Sequence, residues 1–190
     1  MSSNRWRTVD IVVTAVLGAA FGVIFWAWNT LWEGAANAIP LPGRAVLYGV
    51  WLVPAVLGPL VIRKPGAGIF CEVVAATVAT FFGSPWGLVT LLYGVLQGFA
   101  GEFGFALSAY RSWRWPTALA GGVLAGGAAA LLDIVLYYPT TGTGWKVAYA
   151  ALVIASSAVI AGLGSLALTK SLAQTGALDP FPSGRERIAV

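Results

Sequence analysis

The chain has 190 residues, of which 58% are apolar and only 9% are charged, and its formal net charge is +4. A soluble domain of this length carries about 25% charged residues, so the composition excludes an ordinary water-soluble fold and favours an all-α integral membrane protein. The basic residues lie at the ends of apolar segments, which indicates membrane topology and excludes a continuous nucleic-acid-binding patch.

Six apolar segments follow one another along the chain, and each is predicted to form a transmembrane helix. A helix needs ~20 mostly apolar residues to cross the hydrocarbon core, so there is room for six crossings with short loops. Proline and glycine clusters separate the segments, as expected for turns. The whole chain, 1–190, is predicted to be a single six-helix membrane domain with a polar tail at 170–190. The predicted spans are 10–28, 45–62, 67–82, 86–107, 117–138 and 145–168.

Lysine and arginine are distributed unequally between the two sides of the predicted bundle. One side carries only Arg44 and Lys146. Because positively charged loops are retained in the cytoplasm, this bias places both termini inside the cell, and we expect a multi-pass protein of a bacterial plasma membrane. The basic residues of the cytoplasmic side are Arg5, Arg7, Arg63, Lys64, Arg111, Arg114, Lys170, Arg185 and Arg187.

The longest predicted connection, 29–44, lies on the outer side of the membrane. Its Trp32 is explained by the enrichment of tryptophan at membrane interfaces. Alternatively the connection forms a lid over a binding site, since long loops in compact domains are often functional. The triplet Ala36-Asn37-Ala38 resembles a signal-peptide cleavage site. The preceding apolar stretch is longer than the usual signal core of about 7 to 15 residues, so the first helix is expected to be retained.

The residues that most enzymes and metal sites use are scarce in this sequence. Histidine is absent and Cys71 is the only cysteine, so no metal site, cofactor or disulfide framework is predicted. No hydrolase triad is visible, and the phosphate-binding pattern G-x-x-x-x-G-K-[ST] does not occur. We therefore expect a protein that is not an enzyme, and that either binds a small molecule or scaffolds other subunits.

Three carboxylates, Glu72, Glu102 and Asp133, lie within the predicted spans. A charge inside the bilayer is costly, so such a residue normally faces a cavity or a partner. From the helical rise, Glu72 and Gln97 lie at about the same depth, ~15 to 16 Å from the outer helix ends, and Asp133 at ~8 Å. Glu102 is deeper, where a structural or coupling role is an alternative. Pairing with a neighbouring helix is the alternative for Glu72, and simple hydration is the alternative for Asp133.

Two pairs of residues are predicted to face the same pocket as these carboxylates. Tyr48 and Trp51 are three residues apart, and Tyr93 and Gln97 are four apart. Both separations bring side chains together on one helix face. We expect a pocket open to the outside, although the aromatic belt of the membrane interface is an alternative for Tyr48 and Trp51.

Small residues form strips along the first predicted helix. Ala15 and Ala19 are four residues apart, and so are Gly18 and Gly22. Such spacing lets a second helix approach closely. The sequence leaves open whether that helix belongs to the same chain or to a partner.

Several short motifs in the middle of the chain, over 45–102, occur in a specific order. They are Tyr48-Gly49-Val50-Trp51, then Arg63-Lys64-Pro65-Gly66-Ala67, then Gly83-Ser84-Pro85, and finally Gln97-Gly98 followed by Glu102. With these motifs the sequence resembles the YkoE-type substrate-binding S components of energy-coupling factor (ECF) transporters.

The resemblance implies capture of thiamin or its hydroxymethylpyrimidine precursor from outside. It also implies delivery to a transmembrane coupling protein with two ATPase modules, and contact of Ala15 and Ala19 with that coupling protein. The alternatives are an S component for another vitamin or small nutrient, and a membrane scaffold subunit without a small-molecule site. The predicted substrate-binding residues are Tyr48, Trp51, Glu72, Tyr93, Gln97, Asp133 and Glu102.

Overall fold

The computed structural model describes residues 5–34 and 38–185, and these are arranged as a bundle of helices. Two residues of the triplet that resembles a cleavage site, Ala36 and Asn37, lie outside the described residues, as does the end of the tail, 186–190. The elements are α1 (Thr8–Gly34), a 3-10 helix (Gly43–Leu52) that continues into α2 (Val53–Ile62), α3 (Ala67–Phe81), α4 (Val89–Ala106), α5 (Trp115–Leu136), α6 (Thr143–Ser157), a π-helical turn (Ala158–Leu163) that continues into α7 (Gly164–Gln174), and the short α8 (Pro182–Arg185).

Four helical stretches of the described chain are long and apolar enough to cross a membrane. They are Thr8–Gly34, Gly43–Ile62, Trp115–Leu136 and Thr143–Gln174, which correspond to the first, second, fifth and sixth predicted spans. The third predicted span is α3, an apolar helix of only 15 residues, and the fourth is α4. The all-helical prediction is confirmed, whereas the number of crossings stays a prediction.

Helix α1 is longer than predicted, because it continues through Gly34 and does not end at residue 28. Asn29 and Trp32 therefore lie on a helix, and the prediction that the outer loop begins at Asn29 was wrong. The physical reason is that no helix-breaking residue follows Trp28 until the end of the helix. The last helix also continues, to Gln174, beyond the predicted end at residue 168.

The glycine strip of α1 is used for packing within the chain. A Cβ atom on Gly18 would lie 2.7 Å from the carbonyl oxygen of Cys71, and one on Gly22 would lie 2.8 Å from that of Ala75. Glycine therefore permits the close approach of α1 to α3. Ala15 and Ala19 are half-buried beside this contact, and their contact with a partner stays a prediction.

Both ends of the described chain meet at one end of the bundle, which we call the terminal face and define as residues 5–7, 63–66 and 176–185. Arg7 Nη2 donates a hydrogen bond to the Pro180 carbonyl at 3.4 Å, and its guanidinium lies 5.8 Å from the ring centroid of Phe181. Ser183 Oγ donates to the Val61 carbonyl at 2.8 Å. The C-terminal segment is thereby held against α1 and α2.

A buried ion cluster joins the start of α1 to the turn between α2 and α3. Asp10 is 0% exposed, and its carboxylate lies 2.5 Å from Lys64 Nζ and 2.7 Å from Arg7 Nη2. Lys64 Nζ also donates to the Arg5 carbonyl at 2.5 Å. The cluster satisfies a carboxylate that would otherwise be buried without compensation.

Candidate functional site

A cavity of about 350 Å³ lies toward the end of the bundle opposite the terminal face. We call it the central cavity. Pockets for small molecules typically have volumes of about 300 to 1,000 Å³, so its size suits a small ligand. The structure brings together most of the predicted substrate-binding residues, because Tyr48, Trp51, Glu72, Tyr93, Gln97 and Asp133 all line it. Their contact with a ligand stays a prediction.

The Glu72 carboxylate lines the cavity and also makes a hydrogen bond between two helices. Its side chain is 1% exposed, and its Oε2 atom accepts a hydrogen bond of 2.9 Å from the backbone N–H of Ala55. Ala55 lies in the first turn of α2, where backbone N–H groups lack partners within the helix and favour negative charge. The sequence offered pairing with a neighbouring helix as an alternative role for Glu72. One carboxylate oxygen, Oε2, makes such a contact with α2, and the residue also lines the cavity.

Gln97 lies beside Glu72 because two glycines let α4 pack closely on α3. A Cβ atom on Gly98 would lie 3.0 Å from the Glu72 Cβ, and one on Gly94 would lie 2.5 Å from the Ala76 Cβ. The Gln97 side chain is 4% exposed and makes no hydrogen bond to a described residue. A buried amide in a cavity wall leaves donors and an acceptor available to a guest.

Asp133 organises three tyrosines from separate elements. Its two carboxylate oxygens accept hydrogen bonds from Tyr93 Oη at 2.5 Å and from Tyr149 Oη at 2.6 Å. The Tyr48 phenol lies near enough to this carboxylate to interact with it electrostatically. The arrangement fixes the 3-10 helix, α4 and α6 around the cavity, so Asp133 positions the wall in addition to any contact with a ligand.

The 3-10 helix turns Tyr48 and Trp51 toward the same side. Residues three apart eclipse one another in this type of helix, and the two ring centroids are 5.2 Å apart. On the other side, Gly49 packs against α6, where its N–H donates to Ser156 Oγ at 2.9 Å. The predicted shared face is confirmed, although the helix type differs from the α-helix that we expected.

An aromatic wall surrounds the Trp51 indole on several sides. The centroid of Trp51 lies 4.8 Å from that of Trp32 and 5.7 Å from that of Trp86. Trp51 Nε1 donates to Asn29 Oδ1 at 2.9 Å, which fixes the plane of the ring. The extension of α1 supplies Asn29 and Trp32, so the outer end of α1 forms part of the cavity wall.

Arg44 is the positively charged residue of the cavity lining. Its guanidinium lies 4.4 Å from the Trp32 ring centroid, and its Nη1 donates to the Trp32 carbonyl at 2.9 Å. Three carboxylates, those of Glu33, Glu72 and Asp133, also line the cavity. Formally the described lining therefore carries more negative than positive charge, which favours a cationic or amine-bearing guest.

Replacing Trp32 by alanine is expected to weaken ligand binding. The indole contacts Trp51 and Arg44, and losing an aromatic face costs about 1 to 2 kcal/mol, or roughly tenfold in Kd. Trp26→Ala is the matched control, because Trp26 is 46% exposed and absent from the cavity lining. Calorimetric titration of the two purified variants measures the Kd of the ligand for each. Equal affinities in the two variants would leave Trp32 with only the role of an interface anchor.

Glu102 lies elsewhere, and we correct its predicted place in the substrate site. Its carboxylate accepts hydrogen bonds from the backbone N–H groups of Gly66 at 2.9 Å and Gly68 at 2.6 Å. It therefore caps the start of α3 at the terminal face, and it does not line the central cavity. Burial and the Glu102 carboxylate raise the pKa of Tyr110 to about 12, so this phenol stays a proton donor at neutral pH. This geometry agrees with the alternative that Glu102 has a structural role.

Several lining residues were missed by the sequence reasoning. Tyr149 gave no motif or polar pattern, and Arg44 contributed only to the topology count. Asn29 and Trp32 were considered only as parts of a loop. A helical extension of α1 would have placed Asn29, Trp32 and Phe25 on one face, at separations of three and four residues; that spacing is the signal that could have found them.

The fold and the cavity define a class of protein, a membrane-embedded S component. A solved structure described as the crystal structure of an S-component of an ECF transporter matches with a TM-score of 0.93 at 26% identity, and the match covers 97% of this chain and 94% of that one. The chain belongs to the family described as "ABC-type cobalt transport system, permease component", whose model matches residues 9–128.

A relative with a more specific name supports the same class. YkoE of Bacillus subtilis (strain 168), which carries the provisional name HMP/thiamine permease protein, is 28% identical over 184 residues. The match covers 96% of this chain and 92% of the relative. The resemblance to YkoE-type S components is confirmed, and both relatives are named as parts of transport systems.

Proposed function

We propose that this protein is the substrate-binding S subunit of an ECF-type importer, and that it captures thiamin or hydroxymethylpyrimidine from the extracellular side. The observation that carries the proposal is the central cavity, in which Glu72 and the Gln97 amide stand beside an aromatic wall. The S-component fold and the name of the B. subtilis relative support it.

The hydrogen-bonding groups of an aminopyrimidine match those of Glu72 and Gln97. Its exocyclic amine lies beside a ring nitrogen, so a carboxylate can receive a two-point hydrogen bond from the protonated ring. Glu72 is the proposed acceptor, and Gln97 is the proposed group that orients the ring. A hydrogen bond to a charged partner contributes about 1.5 to 3 kcal/mol, which is enough to determine specificity.

The aromatic wall suits both parts of thiamin. Flat rings gain from contact with Tyr48, Trp51 and Tyr93, and a thiazolium cation over an aromatic face gains about 0.5 to 2 kcal/mol. Asp133 lies behind these tyrosines and adds negative potential near the cavity. A cationic or amine-bearing guest is therefore favoured over an anionic one.

The proposed topology and partners follow from the class. The single domain, 1–190, would cross the plasma membrane six times, with both termini and the tail 170–190 in the cytoplasm. A coupling protein would contact α1 near Ala15 and Ala19, next to the exposed Val12 and Val16. Two ATPase modules would supply the energy, since the S subunit supplies only affinity.

Titration of the purified full-length protein with a panel of ligands tests the proposal. We expect saturable heat with thiamin or hydroxymethylpyrimidine, and none with riboflavin, a flat ring without the aminopyrimidine, or with Co²⁺, the metal of the family description. Binding of riboflavin alone would support another vitamin, binding of Co²⁺ alone would support metal uptake, and the absence of all binding would support a scaffold. Each of these three results would contradict the proposal.

A further inference from the structure

A second cavity, also of about 350 Å³, lies at the terminal face, far from the central cavity. We call it the basal cavity. It lies where the ends of α2 and α7 meet the C-terminal segment. The described residues that line it include two cations and no carboxylate. Its polar lining consists of Arg63, Trp113, Thr169, Lys170, Gln174 and Ser183.

Arg63 occupies a backbone position that usually requires glycine. It ends α2 with φ 58° and ψ 41°, in the left-handed conformation. Helices commonly end on such a residue, and glycine adopts the conformation without steric penalty. Strained backbone of this kind is often found at functional sites. An arginine holds this position in the present chain, and its side chain lines the basal cavity.

The remaining polar groups of the basal cavity are mostly donors. The Trp113 indole N–H and the Gln174 amide make no hydrogen bond to a described residue, and the Lys170 ammonium has three N–H donors. Thr169 and Ser183 already donate to backbone carbonyls, at 2.7 Å and 2.8 Å. Guanidinium, ammonium, amide and indole donors around one space fit a group whose oxygens only accept hydrogen bonds and carry negative charge.

We propose that the basal cavity binds a phosphate group. Lysine and arginine at the ends of membrane helices form pockets for anionic lipid headgroups, and a soluble phosphate ester offers the same oxygens. The site is independent of the transported nutrient, because no residue lines both cavities.

Two variants remove one cation each while keeping the local backbone conformation. Arg63→Gly keeps the left-handed helix end, because glycine adopts it freely. Lys170→Gln keeps a flexible polar side chain on an exposed helix face. Lys146→Gln is the matched control, since Lys146 lies in α6, outside the basal cavity.

Native mass spectrometry and thermal unfolding of the full chain in neutral detergent test the site, with dioleoyl phosphatidylglycerol and inorganic phosphate as separate probes. We expect at least one probe to bind and to raise Tm. Each variant should bind it about fivefold more weakly, as expected for one basic residue near an anionic surface, while Lys146→Gln binds normally. If only the lipid raises Tm, the site takes a lipid headgroup. If inorganic phosphate raises Tm without the lipid, the site takes a soluble phosphate ester.

The proposal is overturned if neither probe binds, or if Arg63→Gly and Lys170→Gln both bind as the unmodified protein does. Thiamin titration of Lys170→Gln separates this result from the proposed transport function. Unchanged thiamin affinity with weakened phosphate binding supports two independent sites. Loss of thiamin binding in that variant would contradict their independence.

Discussion

Replacing Glu72 by glutamine is expected to lower thiamin affinity by at least about tenfold, because a charge-assisted hydrogen bond becomes a neutral one. Glutamine has nearly the same shape, and its carbonyl can still accept the Ala55 N–H that Glu72 accepts at 2.9 Å. The fold should therefore survive, and the loss should appear in ligand binding. Isothermal titration of the purified variant measures it.

Glu102→Gln is the matched control for this experiment. Glu102 is also a buried carboxylate, at 4% exposure, and it also accepts hydrogen bonds from backbone N–H groups at a helix start. It does not line the central cavity, so its variant should keep the thiamin affinity even if its Tm falls. Unchanged affinity in Glu72→Gln, or equal losses in both variants, would reject the role of Glu72 in recognition.

Replacing Lys64 by methionine is expected to destabilise the protein strongly. Asp10 is fully buried and Lys64 Nζ lies 2.5 Å from its carboxylate. Removing one partner of a buried ion pair typically costs about 3 to 5 kcal/mol. Because Arg7 still lies 2.7 Å from the Asp10 carboxylate, we expect the lower end of this range, which for a chain of this size lowers Tm by roughly 10 °C. Thermal unfolding in detergent, followed by tryptophan fluorescence, measures the change.

A second substitution distinguishes charge from packing. Asp10→Asn combined with Lys64→Met removes both charges and should recover much of the lost Tm, since the buried carboxylate is gone and the new amide would remain within reach of Arg7. Lys146→Met is the control. Lys146 Nζ donates a hydrogen bond to the Pro139 carbonyl on an exposed surface, so this substitution should change Tm little. No recovery in the double variant would show that the Lys64 side chain acts through its packing.

The sequence was sufficient to predict the helices, because apolar segments and their proline and glycine breaks determine where helices form in a membrane protein. It was not sufficient to predict the residues at which the helices end. Helix α1 reaches Gly34 because interfacial residues such as Asn29 and Trp32 are compatible with both a loop and a helix. Within the 3-10 helix Gly43–Leu52, Gly49 packs closely against α6, and this tertiary contact has no local signature in the sequence.

The sequence was sufficient to predict the carboxylates of the candidate site, but not all the residues around them. Carboxylates inside apolar segments are rare, so Glu72 and Asp133 could be selected from one sequence. The same rule selected Glu102, because intramembrane charge does not distinguish a helix cap from a ligand contact. Tyr149 was missed because its hydrogen bond to Asp133 joins two helices, and that pairing is visible only in three dimensions.

The proposed guest of the cavity beside Glu72 is an aminopyrimidine. The most direct measurement is to purify the full chain from cells, denature it, and identify the released small molecules by mass spectrometry. We expect thiamin or hydroxymethylpyrimidine in near-equimolar amount from the unmodified protein, and a strong depletion from Glu72→Gln. If no pyrimidine compound is released, and the emptied protein binds neither added thiamin nor added hydroxymethylpyrimidine, the cavity does not hold an aminopyrimidine.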